Sequence, residues 1–128
     1  MLSKSKTFSS FSVNDTEKAR EFYTNILGMK VTDFPGMEGL LNLHIQGSNN
    51  IMVYTKSNHT PATFTVLNFP VKDVEETVDK LTAKGVKFEV YDHAIKTNKK
   101  GIAGGGNLPK IAWFKDPAGN ILSVLEKR

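Results

Sequence analysis

Three histidines, His44, His59 and His93, are the only imidazoles this chain has for acid–base or metal chemistry, and they stand far apart. The sequence has no His-x-His, no His-Glu-x-x-His and no cysteine, so it lacks the local spacings that build a metal site or a thiol nucleophile. His44 lies where Leu41 and Leu43 alternate with Asn42 and His44. Its ring therefore points away from the leucines, toward solvent or toward a cavity where an imidazole serves as a general base. His59 sits in the linker Lys56-Ser57-Asn58-His59-Thr60-Pro61 and reads as a loop-capping residue, while His93 opens an irregular stretch. Ser10, Ser12, Asn68 and Ser123 are polar residues inside otherwise apolar strands. Buried hydroxyls and amides need partners, and a bound ligand is one candidate beside water and backbone. Tyr54 and Trp113 add aromatic surface near matching strand ends, for core or for ligand. The candidate ligand pocket is Ser10, His44, Tyr54, Asn68, Trp113 and Ser123, with no catalytic residue assigned.

Gly101-Ile102-Ala103-Gly104-Gly105-Gly106-Asn107 follows Lys99-Lys100 but lacks the strand-loop-helix context that lets a glycine loop cradle phosphate. It reads as a mobile lid over a cavity or as a plain flexible loop.

The elements that position these residues come in two copies. Phe11-Ser12-Val13-Asn14-Asp15 returns 58 residues later as Phe69-Pro70-Val71-Lys72-Asp73, and Asn50-Ile51-Met52-Val53 is echoed by Asn120-Ile121-Leu122-Ser123. In the first copy a strand over 8–13 leads to a helix capped by Asn14, with Glu17 as its capping-box partner. Ala19, Phe22, Tyr23, Ile26 and Leu27 give that helix an apolar stripe, and Gly28 ends it. Strands over 30–33, 40–46 and 51–55 follow. The second copy reads as a strand over 63–69, a helix capped by Asp73 and stopped at Gly85, then strands over 86–91, 110–114 and 120–125, with 92–108 irregular. Each unit is βαβββ, so the class is α+β. One domain of 128 residues is expected, with a first module over 1–58 and a second over 59–128, the two pairing into a curled, barrel-like sheet around a central cavity.

The chain has 17 basic and 13 acidic residues, for a net charge of +4. The lysines are scattered rather than clustered, which argues against nucleic-acid binding. No apolar run is long enough for a membrane helix, and the basic start Met1 to Lys6 has no apolar run behind it, so neither a membrane span nor a signal peptide is expected. The absence of cysteine agrees with a reducing cytoplasm.

Asp15 followed by Glu21-Phe22-Tyr23-Thr24-Asn25-Ile26-Leu27-Gly28, with Asp116-Pro117-Ala118-Gly119-Asn120-Ile121 near the end, resembles the vicinal oxygen chelate superfamily. That superfamily includes glyoxalase I, bleomycin resistance proteins, extradiol dioxygenases and fosfomycin-inactivating transferases. The resemblance runs from about Phe8 to Glu126 and includes the duplication. It implies four metal-ligand positions, which fall here on Phe8, Val66, Val53 and Ser123. These side chains cannot assemble an octahedral imidazole and carboxylate site, so no metal and no other cofactor is expected. A one-residue register slip would offer Met52 or Tyr54 in place of Val53 and finds no better ligand. The expected function is a glyoxalase/bleomycin-resistance-like protein that binds a small organic molecule. The alternatives are a metal-dependent lyase or dioxygenase, or a metal-independent enzyme using His44 or Tyr54. Unpaired sheet edges, together with the resemblance, imply a homodimer.

Overall fold

The computed structural model describes residues 1–127. Its elements run β1 Ser10–Val13, α1 Thr16–Glu21 continued by a π-helical turn Phe22–Ile26, β2 Lys30–Phe34, β3 Met37–His44, β4 Ile51–Thr55, β5 Thr65–Val71, α2 Val74–Ala83, β6 Ile102–Gly105, β7 Leu108–Lys115 and β8 Ile121–Glu126. The fold is α+β. Two four-stranded mixed sheets, ordered β1-β4-β3-β2 and β5-β8-β7-β6, repeat one topology and do not close into a barrel. The chain divides into two compact units, which meet in sequence at Thr60 and Pro61.

In the first unit, Phe11, Val13, Leu41, Leu43, Ile51 and Val53 occupy alternate positions on three strands and are all buried. They form the sheet face that α1 and its π-helical turn cover with Ala19 and Tyr23. The Tyr23 ring is fully enclosed, 6.1 Å from Phe11 and edge-on to Phe22 at 5.2 Å. The helix is capped by Asp15 rather than Asn14, because the Asp15 carboxylate accepts from the Lys18 N–H at 3.1 Å. Both residues have capping chemistry, and the backbone turns helical one residue later than the pattern implies. The Leu27 N–H then reaches back to Phe22 O at 3.0 Å, which widens the last turn, and Gly28 leaves the helix at φ 72°.

In the second unit, Asp73 caps α2 by accepting from the Glu76 N–H at 3.0 Å. Val74 and Val78 are buried, as are Ala112, Phe114, Leu122 and Val124 on β7 and β8, the strands that α2 packs against. Two expectations fail in this unit. Residues 86–91 form no strand; they meet β7 through a bridge from Phe88 to Phe114, whose rings are 5.3 Å apart, and through the Glu89 N–H, which donates to Trp113 O at 2.8 Å. The strand next to β7 is instead β6, inside the stretch read as irregular, so the glycine run is the strand and turn of a hairpin rather than a lid. At Gly104 (φ 85°) a Cβ would lie 2.2 Å from Pro109 O, so only a bare backbone lets these strands approach. Glycine-rich composition signalled flexibility, but here it serves close packing.

Among the described residues no helix is long and apolar enough to cross a membrane.

Candidate functional site

Register decides which side chains share a face. Across the first sheet Ser10 pairs with Met52, Met52 with Asn42, and Asn42 with Thr32. The next rows are Ser12, Tyr54 and Leu40 on one side and His44 with Lys30 on the other. All of these alternate with the buried residues, so they stand on the face that α1 leaves open. Ser10, His44 and Tyr54 therefore come together on one surface. His44 Nε2 shares a hydrogen bond with Thr32 Oγ1 at 2.7 Å, which pins the ring across β2 and β3. His59 is held by Ser12, with its Nδ1 2.6 Å from Ser12 Oγ, in the loop-fixing role its position implied. His93 is almost wholly exposed, with its Nε2 3.3 Å from an Asp92 carboxylate oxygen.

Across the second sheet the corresponding row is Asn68, Ser123 and Trp113. Ser123 is fully buried, and its hydroxyl donates to Asn68 Oδ1 at 2.6 Å. The Trp113 indole meets Tyr91 edge-on at 5.8 Å. The six candidate residues thus fall into two sets of three, one in each sheet, on the faces turned away from the helices, with Ser123 fully buried there.

The same rows correct the alignment of the repeats. Ser10 and Asn68 hold equivalent places on β1 and β5, and their neighbours on the adjacent strand are Met52 and Ser123. Val53, matched to Ser123 by the asparagine echo, is buried on the helix-covered face. The turn before β8 is tightened by Asp116, whose carboxylate accepts from the N–H groups of Ala118 and Asn120, whereas the turn before β4, Gly47-Ser48-Asn49-Asn50, contains no aspartate. With Met52 in place of Val53, the four positions implied for metal ligands hold phenyl, thioether, isopropyl and hydroxyl groups. These do not fit a hard divalent cation. Among the described residues no three His, Asp or Glu side chains are grouped to hold a metal ion.

A cleft of about 430 Å³ opens in the first unit. Phe34, Asn42 and Met52 line it from the sheet, Lys6, Thr7 and Phe8 from the segment before β1, and Ser48, Asn49 and Asn50 from the turn before β4. That segment is tied down at two points. Asn49 Nδ2 donates to Thr7 O at 2.5 Å, and the Met52 N–H donates to Ser9 O at 3.1 Å. Most of these residues were read as tail or turn. The available signal was Asn42, a polar residue alternating with buried leucines; no sequence pattern ties Lys6 or Phe34 to it.

The model of the glyoxalase/bleomycin resistance protein/dioxygenase superfamily matches residues 8–124. Among curated proteins, the uncharacterized protein YraH of Bacillus subtilis (strain 168) is 26% identical over 127 residues, covering 88% of this chain and 90% of YraH. The fold is similar to that of a superfamily member from Sphaerobacter thermophilus DSM 20745, at TM-score 0.70 and 22% identity, covering 94% and 97% of the two chains. It is also similar to TnmS3, an antibiotic binding protein from Streptomyces sp. CB03234, at TM-score 0.68 and 23% identity, covering 95% and 96%. The duplicated βαβββ topology and the match over nearly the whole length agree: the chain belongs to the glyoxalase/bleomycin resistance protein/dioxygenase superfamily.

Proposed function

We propose that this protein is a metal-free binding member of its superfamily, holding a small organic molecule against the open sheet faces. The observation that carries this is the cleft, whose size lies within the usual range for small-ligand sites. It combines two phenyl rings and a thioether with a few amides and hydroxyls, as ligand sites commonly do. Ser10, His44 and Tyr54 extend this surface along the same sheet, and Asn68 and Trp113 belong to the equivalent surface of the second unit, with Ser123 buried beneath it and bonded to Asn68. The fold shared with an antibiotic binding protein supports the reading. A metal-dependent lyase or dioxygenase finds no ligand set in these side chains. His44 is bound through Nε2 to Thr32, a structural role that accounts for its ring without a metal-independent reaction. The two modules are proposed to make one domain, and the protein to act as a homodimer in the cytoplasm. Light scattering at tens of micromolar and cell fractionation test the last two points.

The functional test is a thermal-shift screen of small aromatic natural products, with metal analysis of protein purified without chelator. At least one compound should raise the unfolding temperature of metal-free protein. Stoichiometric transition metal, with no compound stabilising the metal-free form, would overturn the reading.

A further inference from the structure

We infer that the cleft of the first unit selects a small aromatic anion: a flat ring system carrying a carboxylate, sulfonate or similar group. This rests on the reading that the cleft binds a small organic molecule, and adds its charge and shape. Lys6 is the one charged residue in the lining. Among the described residues it enters no ion pair, so its ammonium has no protein counterion to displace. The side-chain amides of Asn42 and Asn50 are likewise held in no hydrogen bond among the described residues and stay free to donate. An ammonium beside amide donors is a receptor for a negatively charged oxygen group. No carboxylate lines the cleft to attract a cation, and the net charge of +4 adds a field of the same sign.

The apolar lining sets the shape. Phe8 is 62% exposed, and neither it nor the half-buried Phe34 stacks on another described ring, so no aromatic partner within the unit competes with a planar guest. Met52 supplies a thioether, which packs well against an aromatic edge. A neutral aromatic would satisfy the rings but leave Lys6 without a counterion, and an aliphatic acid would do the reverse.

The test compares two fluorescent probes that share their rings: 8-anilinonaphthalene-1-sulfonate and its uncharged relative N-phenyl-1-naphthylamine. Both are titrated into the full chain, with calorimetry giving the stoichiometry. The sulfonate should bind once per chain, about tenfold more tightly than the neutral probe, since a charge-assisted contact is worth that much. Lys6→Gln should abolish this preference, while Lys4→Gln, an equal charge change outside the lining, should preserve it. Phe8→Ala should weaken both probes. Equal affinity for the two probes, or equal losses from the two lysine variants, overturns anion selection while leaving an aromatic-binding cleft. Failure of both probes to bind at one per chain, or binding indifferent to Phe8→Ala, overturns the cleft as the ligand site.

Discussion

Ser123 has no exposed surface, yet its hydroxyl is fully used by the Asn68 amide oxygen, so its burial costs little. Asn68 itself is exposed, and its oxygen can turn to water if the hydroxyl is removed. Ser123→Ala should therefore cost only about 1 kcal/mol in urea unfolding, the low end for breaking such a bond. Arg20 and Asp33 form the opposite kind of pair, bidentate at 2.6 and 3.3 Å but largely exposed. Chiefly through these hydrogen bonds, the guanidinium holds the Asp33 carboxyl below its usual range. The stability from this depressed carboxyl is complete above an unfolded-state value of roughly 3.9, and it is lost as pH falls through the lower folded-state value. Asp33→Asn should thus lower the urea midpoint slightly at pH 6 and not at all well below pH 3. A difference that grew on acidification would contradict the assignment. At this scale the sequence was partly legible. Leu41 and Leu43 showed which way His44 points, since alternation is local geometry. The partners of Ser12 and Ser123 were not legible, because His59 and Asn68 reach them from distant parts of the chain.

At the scale of the element, punctuation residues carry most of the information. Asp15 and Asp73 each accept a backbone N–H at the start of a helix. Alanine at either should cost about 1 kcal/mol, measured by chemical denaturation. Gly47 and Gly104 share nearly the same φ, 87° and 85°, but a Cβ at Gly47 meets nothing within 4 Å whereas one at Gly104 strikes Pro109 O. Gly47→Ala should therefore cost only the left-handed strain, roughly 1 kcal/mol. Gly104→Ala must also push β6 and β7 apart and should lower the melting temperature considerably further. Equal effects would show that the close approach is not a constraint. Helices and their stops were legible because capping and the 3.6-residue stripe lie within one stretch of chain. The strand over 86–91 was misread because β propensity reports fit to a pleated surface, not whether a neighbour is there. Val86 and Phe88 are buried as the pattern implies, yet beyond the single Phe88–Phe114 bridge the edge of β7 is taken by Ile102–Gly105.

The whole molecule is a duplication, and this was the most legible feature of all. Both sheets carry the same strand order, and both place their first strand parallel to their last. The parallel pairing is not legible in the sequence, because adjacency across a module leaves no local mark. Proposed dimerisation belongs to this scale too. Light scattering should give twice the 14.2 kDa chain mass, and a monomer at tens of micromolar would contradict it.

The parallel strand also bears on the order of assembly. Leu43 finds Ile51 across a short turn, whereas Ser10 must wait for Met52, on the far side of the helix and two further strands. Closing the longer loop comes at greater entropic expense, and contacts distant in sequence form late. In each module the hairpins can zip up early, and the opening strand docks only on a surface they have built. Amide protons of β1 and β5 should therefore exchange with deuterium sooner than those of β3, β4, β7 and β8. Because β1 follows directly on the segment bearing Lys6 and Phe8, a guest in the cleft would fasten the last strand to dock, and saturating ligand should slow exchange there most.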